Sequence, residues 1–211
     1  MKLVPLGDSA YILRDLARPA HEVAAALNVA RPSGLLEAVA SYDTVGLYVD
    51  AGSLSIEDVE QALASKAPGG RGKRHEIPVC YELGEDLEEA ASALRLSPEE
   101  LIRHHTGGAY RCFAVGFCPG FAYLGYLPTE IAGLPRRAAP RVRVEPGSVA
   151  ITGRQTGVYP MPRPGGWHLI GRTPLVLVDV DAEYFPVEAG DEVRFVAIDR
   201  EEFMARQGER L

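Results

Sequence analysis

The sequence predicts an α+β layer at the N-terminus, a short helical connector, and an all-β barrel or sandwich. Three observations predict it. Residues 1 to 81 alternate strand and helix signals in the order β-α-β-β-α-β. Residues 82–109 carry helix start and stop residues at helical spacing. Of 16 prolines, ten lie between Cys112 and Pro186, among glycine pairs and short β-branched runs, and no helix of ordinary length tolerates that density.

Within residues 1–81 the strand signals are Ala10–Asp15, Leu35–Ala40, Thr44–Asp50 and His75–Tyr81. A Ser41-Tyr42-Asp43 turn joins the middle pair. Pro19 opens a helix that runs to Ala30, and Ser55 caps a second through Ala64, with Asp58 completing a capping-box-like pair. That order is the split unit of a ferredoxin-like layer. Ala67 to Gly72 reads as a loop. In the connector, Asp86–Leu94 forms one helix. Ser97-Pro98-Glu99-Glu100 opens another with an N-cap, a proline at the first position and a capping-box glutamate, and Gly107-Gly108 ends it. In residues 110–211 the clearest strands are Arg111–Phe117, Ser148–Thr152, Leu175–Asp179 and Glu192–Ala197, with a turn at Ala189-Gly190-Asp191. Prolines then belong at edges and corners.

Composition narrows the function. A net charge of −7 argues against nucleic acid as the main partner. No apolar run approaches the roughly 18 residues a membrane-spanning helix needs, and the first residues lack a signal-peptide pattern. The three cysteines, Cys80, Cys112 and Cys118, form neither a Cys-x-x-Cys pair nor an even set, which fits a reducing cytoplasm. Cys112 and Cys118 share strand parity and read as small buried hydrophobes. The acidic average hides a basic stretch. Between Ile131 and Val178 stand seven arginines and one acid, Glu145, with no lysine. Arginine's fork of donors suits carboxylate or phosphate. Solvated strand-face charges are the plainer account of any one of them.

Four segments put polar side chains beside glycines that let backbone amides approach a ligand. They run Gly116-Phe-Cys-Pro-Gly-Phe-Ala-Tyr-Leu-Gly125, Pro140-Arg-Val-Arg-Val-Glu-Pro-Gly-Ser-Val149, Gly153-Arg-Gln-Thr-Gly-Val-Tyr-Pro160 and Pro164-Gly-Gly-Trp-His-Leu-Ile-Gly-Arg-Thr-Pro174. Alone, any of them could be a barrel corner. Together, in this order and spacing, they resemble the KipI-like family, also called the B subunit of 5-oxoprolinase and formerly allophanate hydrolase subunit 1. The resemblance implies an N-terminal α+β domain and a cyclophilin-like β-barrel. It implies work in a complex with KipA-like (C) and LamB-like (A) partners, using ATP with magnesium to open 5-oxo-L-proline to L-glutamate. It also leaves open a KipI-type inhibitor of a sensor histidine kinase, and a carboxyltransferase-like component of urea or allophanate metabolism.

The candidate chemistry follows from a stable lactam, whose opening needs anion clamps, an amide reader and a proton shuttle. Gln155 has the donor and acceptor for an amide edge. Arg141, Arg143, Arg154 and Arg172 are the candidate anion ligands, Arg141 and Arg143 falling on one face if residues 141–144 are a strand. His105 and His168 are the candidate proton carriers. His105, near a helix end, can equally serve the last carbonyls. Tyr123, Tyr159 and Trp167 read as core or wall aromatics. The sequence has no phosphate loop and no G-x-G-x-x-G, so ATP, if used, is expected on a partner or in an unfamiliar mode. No histidine or cysteine spacing suggests a metal site.

Overall fold

The computed structural model describes residues 1–50, 54–64 and 72–211 and divides into two units, Met1–Gly72 and Lys73–Leu211. The loop expected from Ala67 lies, but for Gly72, outside the described residues. No helix among the described residues is long and apolar enough to cross a membrane.

The first unit holds β1 (Lys2–Pro5), β2 (Ala10–Arg14), α1 (Ala20–Ala30), β3 (Leu35–Ser41), β4 (Thr44–Val49) and α2 (Ile56–Ala64). Its antiparallel sheet has the order β1-β2-β4-β3. Ala20, Val23, Ala24, Ala26 and Leu27 form the buried stripe of α1. Pro19 is its N-cap, and Arg31 ends it in the left-handed region at φ 41°. Asn28 projects from the last turn and pairs with both backbone groups of Ala38, at 2.8 Å each. It thereby satisfies polar groups on the outer edge of β3 that would otherwise invite another strand. Ser55 and Asp58 form the expected reciprocal cap of α2.

The ferredoxin-like expectation needs correction. β2, β4 and β3 follow the split order, but the strand expected to complete the layer does not join it. That strand, β5 (Arg74–Val79), pairs in parallel with a strand at the far end of the chain, and β1 takes the edge beside β2. The physical reason is burial. Ile77, Pro78 and Val79 form a fully buried run suited to a sheet covered on both faces.

The second unit continues with a 3₁₀ turn (Tyr81–Leu83), α3 (Leu87–Leu94) and α4 (Pro98–Thr106). Its strands are β6 (Tyr110–Val115), β7 (Ala122–Gly125), β8 (Arg141–Val144), β9 (Ser148–Thr152), β10 (Gln155–Val158), β11 (Arg163–Gly165), β12 (His168–Arg172) and β13 (Glu192–Ala197), followed by α5 (Arg200–Ala205). Seven strands form one sheet in the order β12-β9-β10-β7-β6-β13-β5. Cys80 and Arg172 then exchange backbone hydrogen bonds of 2.8 and 3.0 Å, joining the end of β5 to β12 and bringing the sheet close to a closed barrel. β8 and β11 form a separate two-stranded ribbon. The expected strand Leu175–Asp179 does not form. Val176 instead pairs with the C-terminal tail through Glu209 and Leu211, and Asp179 closes a turn with Tyr184. α5, unexpected from the sequence, starts at Asp199, which accepts a bond from the Glu202 amide at 2.8 Å.

The barrel core stacks Ile77, Val79, Tyr110, Leu124, Ile151, Ile170 and Phe195 against Ala90, Ala91 and Leu101 of the connector helices. Fully burying side chains of this size contributes roughly 1.5–3 kcal/mol each. A second cluster of Cys118, Phe121, Val144, Ala150, Tyr159, Trp167 and Leu169 builds the wall of a cavity.

Candidate functional site

That cavity has a volume of about 280 Å³ and is lined chiefly by Phe117, Phe121, Tyr123, Tyr159 and Trp167, with Arg136 and Arg137 on its wall. The glycine- and proline-rich segments of the sequence meet here. Phe117, Phe121 and Tyr123 come from the turn between β6 and β7 and from β7 itself. Tyr159 follows β10, Pro164 and Gly165 belong to β11, and Trp167 precedes β12. The rings pack edge to face, Phe121 standing 5.0 to 5.5 Å from Phe117, Tyr123, Tyr159 and Trp167. Such geometry stiffens an aromatic wall beyond what area burial alone gives. Phe117 stays 57% exposed and adopts φ 70°, a conformation costing an L-residue roughly 1–2 kcal/mol. Gly165 is required beside Tyr159, since a Cβ there would lie 2.3 Å from the phenol oxygen. Burial raises the Tyr159 hydroxyl above its ordinary range, opposed by a backbone hydrogen bond at Trp167 and by the charges of Arg136 and Arg141. The phenol is therefore a protonated donor at neutral pH.

Behind the wall lies an ion cluster. Asp86, 2% exposed, accepts bonds on one carboxylate oxygen from Arg137 and Arg141, both at 2.7 Å, and on the other from the Leu169 amide at 2.7 Å. Glu89 also meets Arg137 at 2.9 Å, and Glu85 meets Arg141 at 3.3 Å. Asp86 is the N-cap residue of α3, yet its side chain makes no capping bond. Its carboxylate is committed to the arginines and to β12. Burial pushes the Asp86 carboxyl upward, but the hydrogen bonds from Arg141 and Leu169 and the two guanidinium charges prevail, leaving it below the usual carboxylate range.

The structure scatters the residues singled out from the sequence. His105 is fully enclosed at the end of α4, stacked on Phe195 at 4.5 Å. Thr156 donates its hydroxyl to the Ala150 carbonyl, so it must accept from His105 Nε2–H at 2.9 Å. His105 Nδ1 is then the acceptor for the Tyr81 hydroxyl at 2.6 Å. Burial drives this imidazole down to about 3. It is a neutral core group with no open face. His168 is also buried; its Nε2 donates to the Pro135 carbonyl at 3.0 Å, and its Nδ1 has no partner among the described residues. Gln155 is half-buried at the opposite end of β10 from Tyr159, roughly 13 Å along the strand.

The arginines divide similarly. Arg141 joins Asp86, whereas Arg143 is exposed and forms a two-contact pair with Glu145 at 2.6 and 3.4 Å, so the two do not form one clamp. Arg154 lies over the Tyr126 ring at 4.2 Å. Arg172 donates to the Pro146 carbonyl at 3.1 Å, at the barrel seam. None of Arg143, Arg154, Arg172 or Gln155 lines the cavity. Arg136, Arg137 and Asp86 were not among the expected residues. The available signals were the doubled arginine between two prolines and an aspartate at a helix start. Cys118 lies in the turn after β6 and is 7% exposed, and Cys112 is fully buried. Burial raises both thiols, Cys112 to about 12.

Among known proteins, residues 1–186 match the family described as carboxyltransferase domain, subdomain C and D. The chain is 48% identical over 158 residues to the B subunit of 5-oxoprolinase from Bacillus subtilis, a match covering 72% of this chain and 65% of that protein. It is 43% identical over 145 residues to the B subunit of 5-oxoprolinase from Haemophilus influenzae, covering 67% of this chain and 68% of that one. The chain thus spans about two thirds of the length of these curated relatives. The crystal structure of TTHA0988 aligns at a TM-score of 0.80 and 38% identity, over 90% of this chain and 40% of that one. The Kluyveromyces lactis urea amidolyase aligns at 0.70 and 14% identity, over 96% of this chain and 15% of that one, a likeness of fold alone.

Proposed function

Since this chain belongs to the carboxyltransferase domain, subdomain C and D family and to the family of 5-oxoprolinase B subunits, we propose that it is a non-autonomous component of a 5-oxoprolinase, its aromatic cavity holding the lactam. The observation that carries the reading is the cavity itself. It is lined by five aromatic side chains and two arginines. A small cyclic amide bearing a carboxylate matches that chemistry, with ring faces for the apolar wall and an anion for the guanidinium side. The Tyr159 phenol supplies a neutral donor for a carbonyl oxygen.

The reaction we propose for the complex is ATP-dependent opening of 5-oxo-L-proline to L-glutamate, with KipA-like and LamB-like proteins as partners. The described residues around the cavity do not fit a magnesium-bound triphosphate. Arg137, Arg141 and Arg143 are held by the chain's own acids, and the described residues contain no cluster of three metal-ligating side chains. On this reading the nucleotide is bound on a partner or in an unfamiliar mode. A cyclophilin-like barrel in this chain and a related one in the KipA-like partner would let the two pack as similar modules.

Reconstitution tests the reading. The chain mixed with both partners, ATP and 5-oxo-L-proline should release glutamate, and the chain alone should not. Trp167→Ala should lower turnover of the complex at least about 10-fold, a loss of roughly 1.4 kcal/mol of transition-state stabilisation. Full activity with Trp167→Ala, or turnover by the partners without this chain, would defeat the proposal.

A further inference from the structure

Of the seven arginines between Ile131 and Val178, six are engaged by the protein itself. Arg137 and Arg141 meet Asp86, Arg143 meets Glu145, Arg154 lies on Tyr126, Arg163 donates to the Met161 sulfur and Arg172 donates to the Pro146 carbonyl. Arg136 alone has no hydrogen bond, ion pair or ring contact among the described residues, and it lines the cavity. Its backbone, by contrast, is fixed on both sides. The preceding Pro135 carbonyl accepts from buried His168 at 3.0 Å. The following Arg137 amide donates to the Gly166 carbonyl at 2.7 Å, and the Arg137 side chain is anchored on Asp86 and Glu89. A free cation on an immobilised segment beside an apolar wall is a preorganised anion receptor, because little backbone ordering remains to oppose binding.

We infer that Arg136 is the specificity-determining residue of the cavity, selecting small cyclic carboxylates over their neutral counterparts by pairing with the carboxylate while the ring lies against the aromatic wall. The inference rests on the cavity reading of the preceding section but extends to any small ring carboxylate. The nearby acids Glu85, Asp86 and Glu89 are in contact with Arg137 and Arg141 and not with Arg136. Arg136 is thus the cavity-lining guanidinium that has no carboxylate of its own among the described residues.

Trp167, the single tryptophan of the chain, lines the same cavity and reports its occupancy without any need for turnover. The full chain is titrated with 5-oxo-L-proline and benzoate, and with the neutral analogues 2-pyrrolidinone and benzamide, following Trp167 emission. The wild type should bind each carboxylate at least about 10-fold more tightly than its neutral partner, a difference of about 1.4 kcal/mol. Arg136→Gln should abolish that preference while leaving the neutral ligands unchanged, and Arg136→Lys should restore part of it. Unchanged thermal melting of both variants establishes that the fold is intact. A preference for benzoate without binding of 5-oxo-L-proline sinks the lactam reading and supports the role of Arg136. Equal carboxylate binding by wild type and Arg136→Gln overturns the role and spares the lactam reading. No emission change with any ligand overturns both.

Discussion

Replacing His105 with glutamine should flatten the acid limb of this protein's stability curve. His105 is enclosed and neutral, with its imidazole driven by burial from 6.5 in the unfolded chain to about 3 in the fold. A group whose folded value is depressed contributes stability that is fully present above the unfolded value and is lost as the pH falls toward the folded one. The affected window therefore runs from about pH 6.5 down to about pH 3. Linkage across that gap gives a loss of about 1 kcal/mol near pH 5.5 and roughly 3 kcal/mol near pH 4.5. Glutamine can keep a donor toward Thr156 but has no charge to acquire. The variant starts less stable, since the Tyr81 hydroxyl loses its acceptor and ring contacts with Phe195 disappear, a cost of order 2–3 kcal/mol. That offset is constant with pH and cancels when each protein is referred to its own value near pH 7.5. Urea unfolding followed by Trp167 emission reports on the unit that contains His105. Parallel acid limbs in wild type and variant, within about 0.5 kcal/mol near pH 4.5, would refute a neutral, enclosed His105.

Three further perturbations follow from the same contacts. Asp86→Asn removes the charge shared by Arg137 and Arg141 and should lower stability by about 2 kcal/mol, less than for a fully buried pair because both guanidinium groups are partly exposed; chemical denaturation checks it. It should also weaken carboxylate binding reported by Trp167, because Arg137 anchors the segment that carries Arg136. Gly165→Ala forces a methyl against the Tyr159 oxygen and should reduce ligand affinity at least about 10-fold with circular dichroism unchanged; wild-type affinity would show that the ribbon yields freely. Ser97→Ala dismantles the capping box of α4 and should destabilise the second unit by about 1 kcal/mol without altering ligand binding.

What the sequence made legible was local chemistry. Ser97-Pro98-Glu99-Glu100 announced a helix start because every interaction involved falls within four residues, and the reciprocal bonds form at 2.8 and 3.2 Å. The glycine- and proline-rich segments pointed to one site because such sequences serve turns and close approach, and the cavity is built from them. The N-terminal layer was misread at its last strand for a non-local reason. β5 carries the same strand signal whether it pairs with β2 or with a strand more than a hundred residues later, and only tertiary burial decides between them. The signal for α5 lies in Asp199 and Glu202, directly after the strand that precedes it.

The arginines expose the deeper limit. In the sequence the seven are equivalent, a run of charge with one acid among them. In the fold their roles are set by acids outside that run, Glu85, Asp86 and Glu89 at the start of α3, which lie about fifty residues away and neutralise Arg137 and Arg141. Net charge over a segment therefore does not distinguish Arg141 and Arg143, which already meet carboxylates, from an arginine that has none. The residue left over, Arg136, could be found only by subtracting every internal pairing. An ion pair within the protein and a receptor for an external anion use the same side chain, and the difference between them is whether the fold has already supplied the carboxylate.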